Sequence, residues 1–300
     1  MFRETDFIEG LKLRFGSGDL PVGIGDDGAV LHSIQQPVVV TDMLLDGRHF
    51  DLRSCTPELA GRKSVAVNLS DLAAMGCRPV AAFVSIAVST TGGDARSFLE
   101  RFYDGIGDLA TEYEFSIAGG DTTAWDGPFA VNVCLIGTPV CNSPVLRSGA
   151  CDGDQLYVTG PLGGSLESGH HLTFVPRLNE SRWLAETNCV TSMMDISDGL
   201  SLDLHRLCQA SGVGATLIAG QIPVSDRVDS EKSAEQRLLH ALGDGEDFEL
   251  LFTVPPTSVA DLKRAPFTVH HIGEMCQAGG ICLSRNGATE NLPMTGWRSF

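Results

Sequence analysis

Short apolar runs alternate along the chain with stretches whose apolar positions recur every three or four residues, the pattern of strands interleaved with amphipathic helices. Pro37-Val38-Val39-Val40-Thr41 reads as a buried strand that delivers Asp42 at its C-terminal end. Thr56-Pro57-Glu58 follows as a helix start, a capping hydroxyl before a proline at the first helical position. That helix is predicted to run towards Gly76, with Leu59, Val65, Leu69 and Leu72 on its apolar side and Asp71 near its far end. Val80 to Val88 is a continuous apolar strand, and Asp94 is placed to cap a helix carrying Phe98, Phe102, Ile106 and Leu109 at helical spacing. Phe115 to Ala118 reads as a short strand ending in a Gly119-Gly120-Asp121-Thr122-Thr123 loop, and Phe129 to Gly137 as another strand. The stretch from Pro139 to Gly153, with Pro144, Ser148 and Gly149, is the best boundary, giving domains of 1–145 and 146–300. Beyond it the alternation repeats. Strands are predicted at Gln155–Thr159, Ala215–Ile218, Glu249–Val254 and Phe267–Ile272, and helices at Leu200–Ala210, Glu231–Leu242 and Thr257–Arg264. The class is α/β.

Composition narrows the partners. With 300 residues, 43% hydrophobic and 20% charged, the chain has ample material for a globular core. Its 38 Asp and Glu against 21 Lys and Arg give a formal charge of −17, which argues against nucleic acid or an anionic membrane as a general partner. A phosphorylated ligand therefore has to be held through metal ions or a few local cations. The nine cysteines are odd in number and contain no C-x-x-C pair, which suits buried reduced thiols better than disulfides or zinc. There is no charged-then-apolar leader and no apolar stretch approaching the roughly 18 residues of a membrane span, so the expectation is a soluble cytoplasmic protein.

Chemistry enters through six acidic motifs at the edges of apolar runs: Gly25-Asp26-Asp27, Thr41-Asp42, Leu69-Ser70-Asp71, Gly119-Gly120-Asp121-Thr122-Thr123, Asp195-Ile196-Ser197-Asp198-Gly199 and Gly245-Glu246-Asp247. Hard oxygen donors of this kind suit Mg²⁺, which is usually bound through carboxylates together with substrate phosphates. Metal-dependent phosphoryl transfer is the function they point to. Gly23-Ile24-Gly25-Asp26-Asp27-Gly28 formally matches G-x-G-x-x-G, but no good strand precedes it, no helix start follows, and two carboxylates would repel a bare pyrophosphate. It reads instead as a metal-carrying turn, or as a glycine turn with solvated carboxylates. No G-x-x-x-x-G-K-[ST] element and no protein-kinase motif set is present. Singly, Asp71 also fits a solvated helix end, Asp198 an N-cap starting the helix through Leu202, Arg147 a surface ion pair, and Trp297 a core anchor. Their joint occurrence favours the functional reading.

Taken together, these residues resemble the thiamine-monophosphate kinases of the aminoimidazole-ribotide-synthetase-like superfamily. The resemblance runs from Gly23-Ile24-Gly25-Asp26-Asp27 to Gly296-Trp297 and is most specific at 68–76, 194–200 and 245–252. It implies a two-domain α/β fold with α+β mixed sheets, an N-terminal domain that forms a homodimer, and ATP in a cleft between the domains. It also implies conversion of thiamine monophosphate and ATP to thiamine diphosphate. Mg²⁺ ligation by Asp27, Thr41, Asp42, Asp71, Asp121, Asp195 and Asp198 is implied, with ATP contacts from Tyr103, Gly120, Asp121, Arg147 and Ser197. His49, Glu246 and Trp297 would face the thiamine phosphate. No residue is assigned as a general base; Asp42, Asp121 and Arg147 would matter most. The chain departs from the family pattern at Val40, in the short stretch from Leu166 to Glu186, and in ending Trp297-Arg298-Ser299-Phe300 where Asp-His is expected after the Trp. Selenophosphate synthetase is disfavoured because the first cysteine is Cys55, and a carbamoyl-dehydratase maturation protein because the tail bears no cysteine. Aminoimidazole ribotide synthetase and a nucleotide-binding regulator without turnover remain as alternatives.

Overall fold

The computed structural model describes residues 4–89, 94–277 and 279–297, so the departure at Arg298-Ser299-Phe300 lies outside the described residues. The chain forms two compact units. One runs to Leu72 and resumes over Arg78–Pro139; the other holds Ala73–Cys77 and the chain from Val140 onward.

The first unit is a four-stranded mixed sheet in the order β1-β4-β2-β3, formed by β1 (Val38–Leu45), β2 (Cys77–Ser89), β3 (Ser116–Trp125) and β4 (Ala130–Pro139). β1 runs antiparallel to β4, and β2 parallel to β3. Helices α1 (Glu4–Phe15), α2 (Pro57–Ala74) and α3 (Ala95–Glu112) complete it. The cap signals operate as their chemistry requires: the Thr56 hydroxyl accepts from Leu59 N, and the Asp94 carboxylate accepts from Arg96 N and Ser97 N. Along α3, Leu99, Phe102, Ile106 and Leu109 are buried, and Phe102 and Phe98 meet Phe129, just ahead of β4, at ring-centroid distances of 5.1 and 4.9 Å.

Three sequence expectations need correction here. β1 does not end at Thr41; its alternation of half-buried and exposed positions continues to Leu45, so Asp42 lies within the strand, opposite Val133. Helix α2 is enclosed nearly all round between Lys63 and Ser70 rather than along one apolar side. Its buried polar groups are partly satisfied inside the helix, Ser64 Oγ donating to Gly61 O and Asn68 Nδ2 to Ser64 O. Finally, Gly119-Gly120-Asp121-Thr122-Thr123 is strand, not loop. The β2–β3 register slips by one residue at Ala118, a bulge that turns the strand and lets it carry on to Trp125.

The second unit is a seven-stranded sheet in the order β11-β10-β7-β9-β5-β8-β6. Its strands are β5 (Gln155–Val158), β6 (Ser192–Asp195), β7 (Gly214–Ile218), β8 (Leu250–Val254), β9 (His270–Cys276), β10 (Ile281–Arg285) and β11 (Ala288–Asn291). Among the described residues, β10 and β7 pair in parallel and the other ladders of this sheet are antiparallel. Helices α4 (Leu178–Glu186), α5 (Leu200–Ser211), α6 (Ala234–Gly243) and the short α7 (Val259–Leu262) accompany it. Leu200, Leu204 and Leu207 line one face of α5 and join Leu156, Leu251, Ile272 and Leu283 in the core. β9 begins at His270, later than expected, and α1, α4, β6 and β11 had no counterpart in the sequence reading. None of the described helices is long and apolar enough to cross a membrane.

Helices α2 and α3 approach through a reciprocal pair of glycines. A Cβ at Gly61 would meet the Phe102 carbonyl oxygen, and one at Gly105 the Glu58 carbonyl oxygen. Both obstacles are backbone, so a methyl group can be accommodated only by parting the helices. Gly105→Ala is expected to destabilise the protein by about 1–3 kcal/mol, read as a lower urea midpoint at unchanged slope. An unchanged midpoint would mean that the crossing is looser than described.

Candidate functional site

Within the first unit, a cleft of about 730 Å³ is lined by Gly25-Asp26-Asp27, Tyr103 and Gly119-Gly120-Asp121-Thr122, among others. Two acidic motifs nearly a hundred positions apart in sequence thus face one space. The bulge at Ala118 and the backbone of Gly120 at φ +156° shape the second of them, and a Cβ at Gly120 would strike Val84 O. Asp26, Asp27 and Asp121 are solvent-exposed. Two of these carboxylates accept from adjacent amides, Asp26 from Asp27 N and Asp121 from Thr122 N. Tyr103 forms a wall, its ring buried edge-on to Phe7 and Phe102, and burial pushes its phenol well above the usual range.

Thr41, Asp42, His49 and Asp71 do not line this cleft. Thr41 and Asp42 sit on β1, where Asn132 Nδ2 donates to Thr41 Oγ1 and to the Asp42 carbonyl. Side-chain bonds help hold the His49 loop: Leu45 N donates to His49 Nδ1 at 3.0 Å, and the fully buried Lys63 donates to His49 O at 2.6 Å. Val40, one of the departures, is a half-buried position opposite Leu135.

The second unit assembles the other motifs through backbone. The β6–β8 ladder continues past its strand ends, with Phe248 N donating to Ile196 O, Ile196 N to Glu249 O, and Glu246 N to Ser197 O. Trp297 N then donates to Asp198 O at 2.9 Å. Asp195, Ser197, Asp198, Glu246 and Trp297 are therefore held within a few backbone hydrogen bonds of one another. Glu246 and Phe248 adopt φ of +58° and +52° beside Gly245 at +73°. Left-handed backbone at non-glycine residues costs on the order of 1–3 kcal/mol each and concentrates at functional sites. Arg147 is exposed, and its carbonyl accepts from Ser211 Oγ.

Asp198 does not start the helix; α5 begins at Leu200 behind Gly199, at φ +116°. The amides of Asp198 and Gly199 donate instead to Asp203, one turn inside the helix, whose side chain is fully buried. Arg206 joins the acids, Nη2 to Asp198 Oδ2 and Nη1 to Asp203 Oδ1, both at 2.6 Å. Burial, then the charge of Asp195, pushes Asp203 up to about 7. Sequence reasoning missed Asp203, Arg206 and the anchors of the 244–249 run. The available signal was an acid in the first turn of a helix whose neighbours Leu200, Leu202 and Leu204 are apolar.

Among the described residues, no three His, Cys, Asp or Glu side chains are grouped so as to hold a metal ion by themselves. The cleft offers carboxylates and hydroxyls in ones and twos and no thiol or imidazole. That donor set fits Mg²⁺, which takes one or two carboxylates and completes its shell with phosphate and water.

Asp247 is likewise buried, accepting from Gly163 N on both oxygens and from Ser165 Oγ at 2.6 Å. Burial outweighs these bonds and pushes it up to about 7 from 3.8. The folded chain therefore keeps a proton that the unfolded chain releases near pH 4, and this contribution to stability is lost as pH rises through about 7. Asp247→Asn, which mimics the neutral acid, is expected to flatten the decline in unfolding free energy between pH 4 and 7 by up to about 1 kcal/mol per pH unit. Urea titrations across that range check it; an unaltered slope refutes a protonated Asp247.

Comparison with known proteins identifies the family. Residues 25–138 match the N-terminal domain, and residues 152–283 the C-terminal domain, of the AIR synthase related proteins. The chain is 41% identical over 280 residues to a thiamine-monophosphate kinase of Rhodopirellula baltica, covering 89% of this chain and 86% of that one. It is 35% identical to the thiamine-monophosphate kinase of Escherichia coli K12 over 96% of this chain and 95% of that one. Its fold superposes on AaThiL complexed with AMPPCP and TMP with a TM-score of 0.78 at 28% identity, covering 100% of this chain and 99% of that one. The chain belongs to the thiamine-monophosphate kinases, a family of the AIR synthase related proteins.

Proposed function

We propose that this chain transfers the γ-phosphoryl group of ATP in line to the phosphate of thiamine monophosphate, giving thiamine diphosphate and ADP. The observation that carries this reading is the cleft where Asp27 and Asp121 face one space beside the Gly119-Gly120 backbone. It offers hard oxygen donors and no thiol or imidazole, which suits a transfer whose acceptor needs no activation. A phosphate monoester with a second pKa near ~6 is largely dianionic at pH 7 and is already a nucleophile. The obstacle is repulsion: two unit charges ~4 Å apart at an effective dielectric of about 20 repel by roughly 4 kcal/mol. Bound Mg²⁺ would supply neutralisation of that charge.

The residues then divide the work. Asp27, Thr41, Asp42, Asp71, Asp121, Asp195 and Asp198 would hold Mg²⁺, and Tyr103, Gly120, Asp121, Arg147 and Ser197 would orient ATP. The planar fork of Arg147 suits a phosphate. His49, Glu246 and Trp297 would take the acceptor, the Trp ring and the Glu246 carboxylate answering the fixed positive charge of the thiazolium. Supporting this, Glu246 and Trp297 are bonded to the backbone of Ser197 and Asp198. The enzyme would act as a cytoplasmic homodimer joined through its first unit. Edge strand β1 exposes Val39, Met43 and Leu45, an apolar row suited to a second copy.

Purified protein given ATP, Mg²⁺ and thiamine monophosphate is expected to form thiamine diphosphate and ADP in equal amounts, and EDTA to abolish both. Asp121→Ala and Asp198→Ala, one from each unit, should each lower kcat by about 10²–10³-fold. ATP binding without thiamine diphosphate formation would overturn the reading in favour of a non-catalytic nucleotide sensor.

A further inference from the structure

One segment is fastened to the acidic run Asp244–Glu249 residue by residue. Asp244 accepts from Gly164 N at 2.8 Å, and Asp247 from Gly163 N and Ser165 Oγ. The Phe174 ring stacks on Phe248 at 4.1 Å and 16°. Arg177 grips Glu249 through Nη2 at 2.6 Å and Nε at 2.8 Å. In the middle of this series His171, 9% exposed, places Nδ1 at 3.6 Å from Glu246 Oε2, while its own amide donates to Ser165 O. Glu246 is also the member held in left-handed backbone by its bond to Ser197 O. Its backbone is thus fixed from one side and its carboxylate met from the other by an imidazole with little freedom of its own.

We propose that His171 is a positioning residue: it sets the direction of the Glu246 carboxylate and through it the affinity for the cationic ring of the acceptor. This rests on the reading that Glu246 faces thiamine monophosphate. An imidazole at ion-pair distance, just beyond direct hydrogen bonding, restricts the rotamers of Glu246 without occupying the face that a ligand cation would meet. An acid already aimed loses less freedom on binding, so the benefit falls on acceptor affinity rather than on phosphoryl transfer.

The test measures Kd for thiamine monophosphate by calorimetry, and KM for each substrate, in the wild type, His171→Ala, His171→Gln, Glu246→Gln and the double variant His171→Ala/Glu246→Gln. His171→Ala should raise Kd and KM for thiamine monophosphate about tenfold, a coupling of about 1.4 kcal/mol, while KM for ATP and kcat stay within about twofold. His171→Gln, which keeps an N–H donor in the buried site, should recover most of the loss. It also keeps the test decisive if the alanine variant fails to fold. In the Glu246→Gln background His171→Ala should add nothing. An unchanged acceptor Kd in His171→Ala overturns the inference, as does an undiminished effect in the Glu246→Gln background or an equal loss for both substrates. Failure of the wild type to bind thiamine monophosphate would overturn the proposed function, and this inference with it.

Discussion

The second unit depends on a ladder that does not stop where its strands do. β6 and β8 pair from Ser192 opposite Thr253 to Asp195 opposite Leu250, and the hydrogen bonds then run on through Ile196, Ser197 and Asp198. A regular strand beyond Asp195 would send successive side chains to opposite faces. Here Gly245, Glu246 and Phe248 take positive φ, which keeps the backbone bonded while it re-aims the side chains. Two motifs some fifty positions apart are thereby locked together, and the Gly296-Trp297 segment is added by one further amide. A side chain at Gly296 would strike Asp198 O, so that approach requires glycine.

The acids fall into two physical kinds. Buried ones are answered locally: Glu249 by Arg177 and the Thr159 hydroxyl, Asp203 by two amides and Arg206, Asp247 by Gly163 N and Ser165 Oγ. Leaving any of these carboxylates without partners would cost several kcal/mol, so each is tied to the segment that supplies its partner. Asp26, Asp27 and Asp121 are exposed along the cleft; Asp26 and Asp121 each accept from the amide of the next residue, and a carboxylate has acceptor capacity for several further donors.

How much of this was legible in the sequence follows from the range of the forces involved. Capping is local, so Thr56 and Asp94 announced α2 and α3. The core face of α5 was equally plain from Leu200, Leu204 and Leu207. Helix α1 was not, because only Phe7 and Leu11 among its described residues are buried, too sparse a pattern to read. The four residues of β6 were too few to show a period. Gly119-Gly120 reads as a loop because glycine usually marks one; in fact Gly120 is needed where the bulged strand passes Val84 O, a contact set by tertiary structure. Asp203, His171 and Arg177 act on motifs that lie five to seventy-five positions away, and no spacing rule connects them.

Magnitudes explain why the Gly245–Glu249 run can hold a strained shape. Two non-glycine residues in left-handed backbone cost on the order of 2–6 kcal/mol together. Hydrogen bonds to charged groups contribute about 1.5–3 kcal/mol each, and Glu249 alone accepts from Arg177 twice and from Thr159 once. The Phe174–Phe248 stack adds about 0.5–1.5 kcal/mol. The clamps are thus of at least the same order as the strain, and they fall on Phe248 and Glu249, close beside Glu246 in the chain. Neighbours that fix the backbone in this way leave an acid at position 246 less freedom to lose when a ligand cation reaches it.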